Sequence, residues 1–257
     1  MLELRNITKT YNPGTLTEMC LFQDLTMTVE QGEFVSIVGS NGSGKTSLLN
    51  IICGSIPVEQ GQVLVAGEDI TKMEEYKRYQ RIGRVYQNPA MGTCPHLTLF
   101  ENMSLADHKG KSFGLSPGVN RHRLRVYQEQ LSLLGLGLEN KLDVLVGTLS
   151  GGQRQAVALL MATMTPLDFL ILDEHTAALD PKTAESIMIL TDQMVRRKKL
   201  TAIMVTHNLR YAVEYGNRLV MMNQGKIILD LKEDEKRKGS VEDILHIFNE
   251  ISIECGN

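Results

Sequence analysis

The 257-residue sequence predicts an α/β fold: a core around a parallel sheet, a small antiparallel β subdomain and an inserted α-helical subdomain. Three observations predict it. The apolar runs Phe34–Val38, Phe169–Leu172 and Thr201–Thr206 are short and rich in branched residues, and helical patterns separate the last two, as a parallel sheet requires. Several further strand-like runs crowd the chain before residue 67. From Asn88 to about Ala162 the spacing turns helical and strand-like runs become scarce.

In chain order, Met1 to Thr10 sets Leu2, Leu4 and Ile7 against Glu3, Arg5 and Asn6, the alternation of a half-buried strand. Tyr11 and the turn Asn12-Pro13-Gly14 follow, then a second strand over Phe22–Val29, and Gln31-Gly32 leads into Phe34–Val38. Leu48, Leu49, Ile51 and Ile52 mark one face of a helix that Gly54 stops. Gln62–Ala66 is another strand, closed at Gly67, and Arg81–Tyr86 runs as a strand into Gln87-Asn88-Pro89. Helices are expected over Leu97–Met103, Arg121–Leu134 and Ser150–Met164, with an exposed loop over Gly110–Gly118 that takes in Lys111 and Pro117 and follows Lys109. Asp180-Pro181 supplies an N-cap and a first-turn proline for a helix burying Ala184, Ile187, Met188, Leu190, Met194 and Val195. That helix ends in Arg196-Arg197-Lys198-Lys199, read as a solvated terminus favoured by the helix dipole. Leu219–Asp230 reads as a hairpin around Asn223-Gln224-Gly225. Residues 232–238 read as a solvated charged connector, and Ser240 to Phe248 as a short terminal helix with a capping-box start.

Composition narrows the function. With 42% hydrophobic and 22% charged residues the chain has the balance of a soluble globular protein. A net charge of −3 leaves no basic surplus, so nucleic acid is not the expected partner. The four cysteines are scattered, outside any metal-ligand spacing, and no secretory leader is evident, which points to a reducing, cytosolic setting. No apolar stretch is long enough to cross a bilayer, so work at a membrane requires another chain to supply the span.

Chemistry concentrates in four places. Gly39-Ser40-Asn41-Gly42-Ser43-Gly44-Lys45-Thr46, followed by Ser47, has the G-x-x-x-x-G-K-[ST] spacing of a phosphate-binding loop. Glycines let successive N–H groups face one concavity, and the helix that follows adds the positive end of its dipole. Lys45 reaches the β- and γ-phosphates in such a loop, and the Thr46 hydroxyl is a magnesium ligand. Asp173 and Glu174 end an apolar strand read as a neighbour of the phosphate-loop strand. One carboxylate can support magnesium and the other can orient and deprotonate the attacking water. His207 closes the next strand and emerges on the same edge. In Leu149-Ser150-Gly151-Gly152-Gln153, Ser150 and Gln153 fit a capping box. The two glycines are read as room for a phosphate to approach bare N–H groups at a second helix start.

These motifs, in this order, resemble the ATP-binding subunit of an ATP-binding-cassette (ABC) transporter, whose core is a P-loop NTPase (RecA-like) domain. The resemblance runs from about Met1 to Asp230 as one domain. It implies a core of residues 1–87 and 163–230, a helical subdomain of 88–162, and a charged connector and terminal helix over 231–257. It implies that Tyr11 stacks on adenine, that Gln87 contacts the metal and the γ-phosphate side, that Asp173 supports Mg2+, and that Glu174 is the general base. Lys45 and His207 complete the catalytic set by the same resemblance, His207 as the γ-phosphate switch. Ser150, Gly151, Gly152 and Gln153 would face the ATP of a second subunit in a head-to-tail dimer. The similarity is strongest to bacterial binding-protein-dependent importers, including those linked to amino acids. Membrane permease subunits and an extracellular solute-binding protein are the implied further partners, at the cytoplasmic face of the membrane. An exporter engine and a soluble ABC ATPase on ribosomes or DNA are the alternatives. Two departures stand out. His175 replaces the proline or small residue common in relatives and is expected to be tolerated rather than catalytic. Ala156–Met161 lacks an arginine often found on that helix, so a salt bridge common in relatives is expected to be missing.

Overall fold

The computed structural model describes residues 1–111 and 118–238. The alternating start of the chain forms β1 (Leu2–Tyr11), with Leu2, Leu4 and Ile7 buried. β2 (Met19–Val29) pairs antiparallel with it and begins three residues earlier than the apolar pattern suggests. β3 (Phe34–Gly39) is buried at every position, as a strand covered on both faces must be. The phosphate-loop residues lead from it into α1 (Lys45–Cys53), which the left-handed Gly54 (φ 88°) terminates. β4 (Gln60–Val65) and the two-residue β5 (Glu68–Asp69) complete a four-stranded sheet ordered β2-β1-β4-β5, the expected antiparallel subdomain. The short α2 (Glu75–Arg78) follows.

β6 (Ile82–Val85) leads to a stretch in which the described residues form helices and turns. α3 (Leu99–Asp107) is capped by Thr98 and Glu101 in a reciprocal capping box. α4 (Leu124–Ser132) is preceded by a 3-10 turn at Arg121–Arg123. α5 (Gly151–Ala162) closes this stretch. Then come β7 (Phe169–Asp173), α6 (Pro181–Lys198), β8 (Ala202–Val205), α7 (Leu209–Glu214), β9 (Arg218–Asn223), β10 (Lys226–Leu231) and α8 (Glu233–Lys238). The predicted cap of α6 is present: Asp180 Oδ1 accepts from the Thr183 N–H at 3.1 Å, with Pro181 in the first turn.

The main sheet has the order β10-β9-β3-β8-β7-β6, parallel except for the β9–β10 hairpin. β8 therefore lies between β3 and β7, so the carboxylate strand is not the direct neighbour of the phosphate-loop strand. The crossover after β7 returns beside it as β8, and that strand fills the slot next to β3. One face of the sheet, with Ile37, Phe169, Ile171, Ile203 and Val205, packs on α1 and the antiparallel sheet. The other, with Leu170, Leu172, Ala202 and Met204, packs on α5, α6 and the helical stretch.

Three solvated segments expected from charge are partly buried. Lys198, in the basic end of α6, donates to Thr163 O and, at 3.2 Å, to Thr163 Oγ1, tying α6 to the end of α5. Residues 233–238 form α8, where buried Lys236 donates to the carbonyls of Tyr215 and Gly216. Lys109 sends its ammonium to Ile82 O at 2.8 Å, and burial pushes its pKa down to about 8. In each case a long aliphatic stem carries the ammonium to a backbone carbonyl, which charge patterning alone does not reveal. The loop residues 112–117 and the expected terminal helix over 240–248 lie outside the described residues.

Arg78 secures the far end of α1. It is 4% exposed and donates to the carbonyls of Ile51 (2.9 Å), Ile52 (3.0 Å), Met73 (2.9 Å) and Thr71 (2.8 Å). The first two are last-turn carbonyls of α1, where Ile51 O also accepts from the Gly54 cap N–H at 3.1 Å, and a cation there complements the dipole. Arg78→Met should lower stability by roughly 2–4 kcal/mol, because buried carbonyls lose their donor. A urea denaturation midpoint that does not fall would contradict this role.

Candidate functional site

Parallel pairing brings the C-terminal ends of β3, β8, β7 and β6 to one edge, the edge at which such sheets place ligands. β3 delivers Ser40–Gly44, β8 delivers His207, β7 delivers Asp173 and Glu174, and β6 delivers Gln87. The loop after β3 is shaped by sterics. A Cβ at Gly39 would lie 2.2 Å from Met222 O, and one at Gly44 (φ 101°) 2.8 Å from the Phe22 ring. The turn of the β9–β10 hairpin leans on the loop from outside, with Gly225 N–H donating to Ser43 O at 3.1 Å. A Cβ at Gly225 (φ 75°) would sit 1.6 Å from Leu21 O, so β2, the hairpin and the loop meet where no side chain fits.

Lys45 folds back across this loop. Its ammonium donates to Gly39 O and Ser40 O, both at 2.8 Å, and reaches Ser43 Oγ at 3.4 Å. Burial lowers its pKa, and the negative charge of Glu174 partly offsets that. Thr46 is exposed in the first turn of α1, while Ser47 accepts from the Tyr11 hydroxyl at 3.1 Å. Tyr11 is thereby tethered beside the loop, with the Lys9 ammonium 5.5 Å from its ring centroid.

Glu174 Oε1 and His207 Nε2 are 2.6 Å apart. The backbone of Glu174 is left-handed (φ 47°), a conformation that costs a non-glycine residue of order 1 kcal/mol or more. Its N–H donates to Val205 O at 3.0 Å, which pins the turn to the end of β8. Asp173 Oδ2 is bound instead by Arg84, at 2.6 Å. His175 is 2% exposed, and burial pushes its pKa down to about 4, so it is neutral. Thr191 Oγ1 donates to Ile187 O at 2.7 Å, so the His175 Nε2–H is the donor in the 3.1 Å contact between the two side chains. His175 thus braces the turn after Glu174 onto α6.

The capping box at α5 is formed in both directions, Ser150 N–H to Gln153 Oε1 and Gln153 N–H to Ser150 Oγ, each at 3.2 Å. The two glycines beside it differ in their surroundings. Gly152 is buried, and a Cβ there would lie 2.3 Å from Thr183 Cγ2. Packing of α5 on the start of α6 therefore accounts for Gly152. Gly151 is exposed, with Leu179 3.4 Å from its notional Cβ, and remains open to an approaching group. Gln87 is also exposed. The residue before it is tied to the helical stretch, because Gln155 Nε2 donates to Tyr86 O at 3.0 Å.

Lys45, Glu174 and His207 are thus brought together, with Tyr11 and Ser47 at the loop's flank. Ser150–Gln153 stand apart, with Leu179 and Thr183 as neighbours. Sequence reading passed over Arg84, Gln155, Thr183 and Thr191. A lone arginine inside the apolar run Ile82–Val85 was the available signal, since a charge in a covered strand demands a partner. Among the described residues no cluster of three His, Cys, Asp or Glu side chains could hold a metal. The oxygens that Thr46, Asp173 and Gln87 offer are of the hard kind that Mg2+ takes.

Residues 22–177 match the family model described as ABC transporter. The chain is 46% identical over 248 residues to a tyrosine transport ATP-binding protein of Clostridioides difficile (strain R20291), covering 96% of this chain and 98% of the relative. It is 32% identical over 239 residues to the thiamine import ATP-binding protein ThiQ of Salmonella choleraesuis (strain SC-B67), covering 93% and 94%. A solved ATP-binding cassette, a dimer in a post-hydrolysis state bound to ADP and Pi, superposes with a TM-score of 0.75 at 30% identity, covering 91% of this chain and 99% of that one.

The packing account of Gly152 makes a signed prediction. Gly152→Ala should destabilise the protein by about 1–3 kcal/mol through the clash with Thr183, although alanine is the better helix former. Thr183→Ser in the same chain, which removes Cγ2, should recover most of the loss. A double-mutant cycle on denaturation midpoints reads the coupling. A neutral or stabilising Gly152→Ala would refute it.

Proposed function

The chain belongs to the ABC transporter family as an ATP-binding, ATP-hydrolysing cassette, and from that premise we propose that it powers the uptake of an amino acid. The reading includes a dimer of cassettes docked on membrane permease subunits at the cytoplasmic face, fed by a separate solute-binding protein. One observation carries the catalytic part: Glu174 and His207 meet at 2.6 Å on the edge where Lys45 crosses the phosphate loop. The near-full-length likeness to a tyrosine transport protein supports the amino-acid part. Among the described residues no helix is long and apolar enough to cross a membrane.

In this reading residues 1–87 and 163–230 are the catalytic core, and 88–162 are a helical lobe linked to it through Gln87. A triphosphate entering the loop takes over the ammonium of Lys45 from the carbonyls of Gly39 and Ser40. The first-turn N–H groups of α1, which helix geometry leaves unpaired, receive phosphate oxygens. Tyr11 flanks the adenine. Thr46, Asp173 and Gln87 would hold Mg2+, which when bound neutralises the charge of the β- and γ-phosphate oxygens. Glu174 accepts a proton from the attacking water, and the water oxygen bonds to the γ-phosphorus as the bond to the β-phosphate oxygen breaks. His207 donates to Glu174 before the nucleotide arrives and to the γ-phosphate afterwards. Ser150, Gly151 and Gln153 offer the N-terminus of α5 to the nucleotide of the second subunit, adding donors where charge sits in the transition state. Hydrolysis then loosens the pair and moves the permease.

Purification from detergent-solubilised membranes tests the assembly: recovery with an integral-membrane partner is expected, and recovery with ribosomes alone overturns the transporter reading. Glu174→Gln should bind ATP within a few-fold of the parent, lose roughly 10²–10⁴ in turnover, and accumulate as an ATP-bound dimer on size-exclusion chromatography. Turnover near the parent rate would remove Glu174 as the base. Lys45→Ala should weaken ATP affinity itself in equilibrium titration, and unchanged affinity would contradict the phosphate role of Lys45.

A further inference from the structure

Arg84 is a guanidinium set into a covered strand, its side chain 7% exposed. Strand alternation puts it on the same face of β6 as buried Ile82, the face that covers α1, and puts Asp173 on that face of β7 with Phe169 and Ile171. Its Nη2 donates to Asp173 Oδ2 at 2.6 Å. Its Nη1 donates to Asn50 Oδ1 on α1 at 2.9 Å and reaches the Tyr79 hydroxyl at 3.4 Å. The guanidinium carbon lies 4.8 Å from the centroid of the Tyr86 ring, one residue before Gln87.

A cation this buried persists only when paired and hydrogen-bonded, and Asp173 is the carboxylate that pairs it. Arginine suits the task because one planar fork can hold the carboxylate with one arm and Asn50 with the other. A lysine would offer a single point charge. With Oδ2 held, the carboxylate plane is fixed and Oδ1 is the oxygen left for a ligand. Hydrogen-bonded partners behind a metal ligand orient it in this way, and their loss characteristically costs 10–100-fold in metal affinity.

We propose that Arg84 is a positioning residue that presents Asp173 to the divalent cation accompanying the nucleotide, braced by Asn50 of the phosphate-loop helix. This rests on the reading of Asp173 as the cation-supporting carboxylate. Arg84 itself touches neither nucleotide nor metal. It acts through Asp173, and its stacking on Tyr86 joins that carboxylate to the segment bearing Gln87.

Full-length protein is titrated with a fluorescent ADP analogue without metal, and then with MgCl2 at fixed analogue. Arg84→Met should raise the Mg2+ concentration for half-saturation by roughly 10–100-fold while metal-free analogue affinity stays within about two-fold. Arg84→Lys and Asn50→Ala should shift the same midpoint in the same direction by less, and thermal melts confirm that each variant is folded. A folded Arg84→Met or Arg84→Lys with the parent Mg2+ midpoint overturns the proposal. So does an equal loss of affinity with and without Mg2+, which would mark a purely structural ion pair. Asp173→Asn separates the two levels of the argument. If it leaves the Mg2+ dependence unchanged, the underlying reading of Asp173 fails. If it shifts the dependence while Arg84→Met does not, only the role of Arg84 fails.

Discussion

Parallel pairing is the constraint from which the rest of this molecule follows. Strands that run the same way must end on the same side, so β3, β8, β7 and β6 discharge their terminal residues along one edge. Residues far apart in the chain, Lys45, Glu174 and His207, are brought together there by strand ends and the short segments that follow them. The order of strands then sets distance. With β8 between β3 and β7, the carboxylates stand two strand spacings from the phosphate loop, roughly 10 Å. The same order is why the histidine after β8 stands beside the glutamate after β7.

The second theme is functional and polar groups held at a cost. Glu174 keeps a left-handed backbone, Lys45 and Arg84 are withdrawn from solvent, and His175 is buried and neutral. Each is held by partners from another element: Val205 O for the glutamate turn, the loop carbonyls for the lysine, Asp173 and Asn50 for the arginine, Thr191 for the histidine. A site built this way has its polar groups oriented before substrate enters, which is what electrostatic stabilisation of a charged transition state requires.

Much of this was legible in the sequence, for identifiable reasons. The loop after β3 announces itself by spacing, the start of α6 by Asp180-Pro181, the end of α1 by Gly54, and the β9–β10 hairpin by its turn residues. These are local signals, and local signals survive folding. What escaped was pairwise and distant. Gly152 shows no packing role until Thr183 is seen against it, thirty-one residues on. Arg84 looks like a surface residue in a strand until Asp173 arrives from β7. Lys109, Lys198 and Lys236 carry charge that patterning assigns to water, yet each spends it on a carbonyl inside. The slot taken by β8 is likewise a matter of topology, which spacing does not encode.

The hairpin turn that rests on the phosphate loop has one more consequence. Gly225 bonds to Ser43 while its own bare α-carbon abuts Leu21 O, so the loop is clasped by β2 on one side and by the β9–β10 turn on the other. These contacts restrict the loop's backbone from outside the cradle itself. A nucleotide therefore meets a braced loop, and less of its binding free energy is diverted to freezing a floppy backbone.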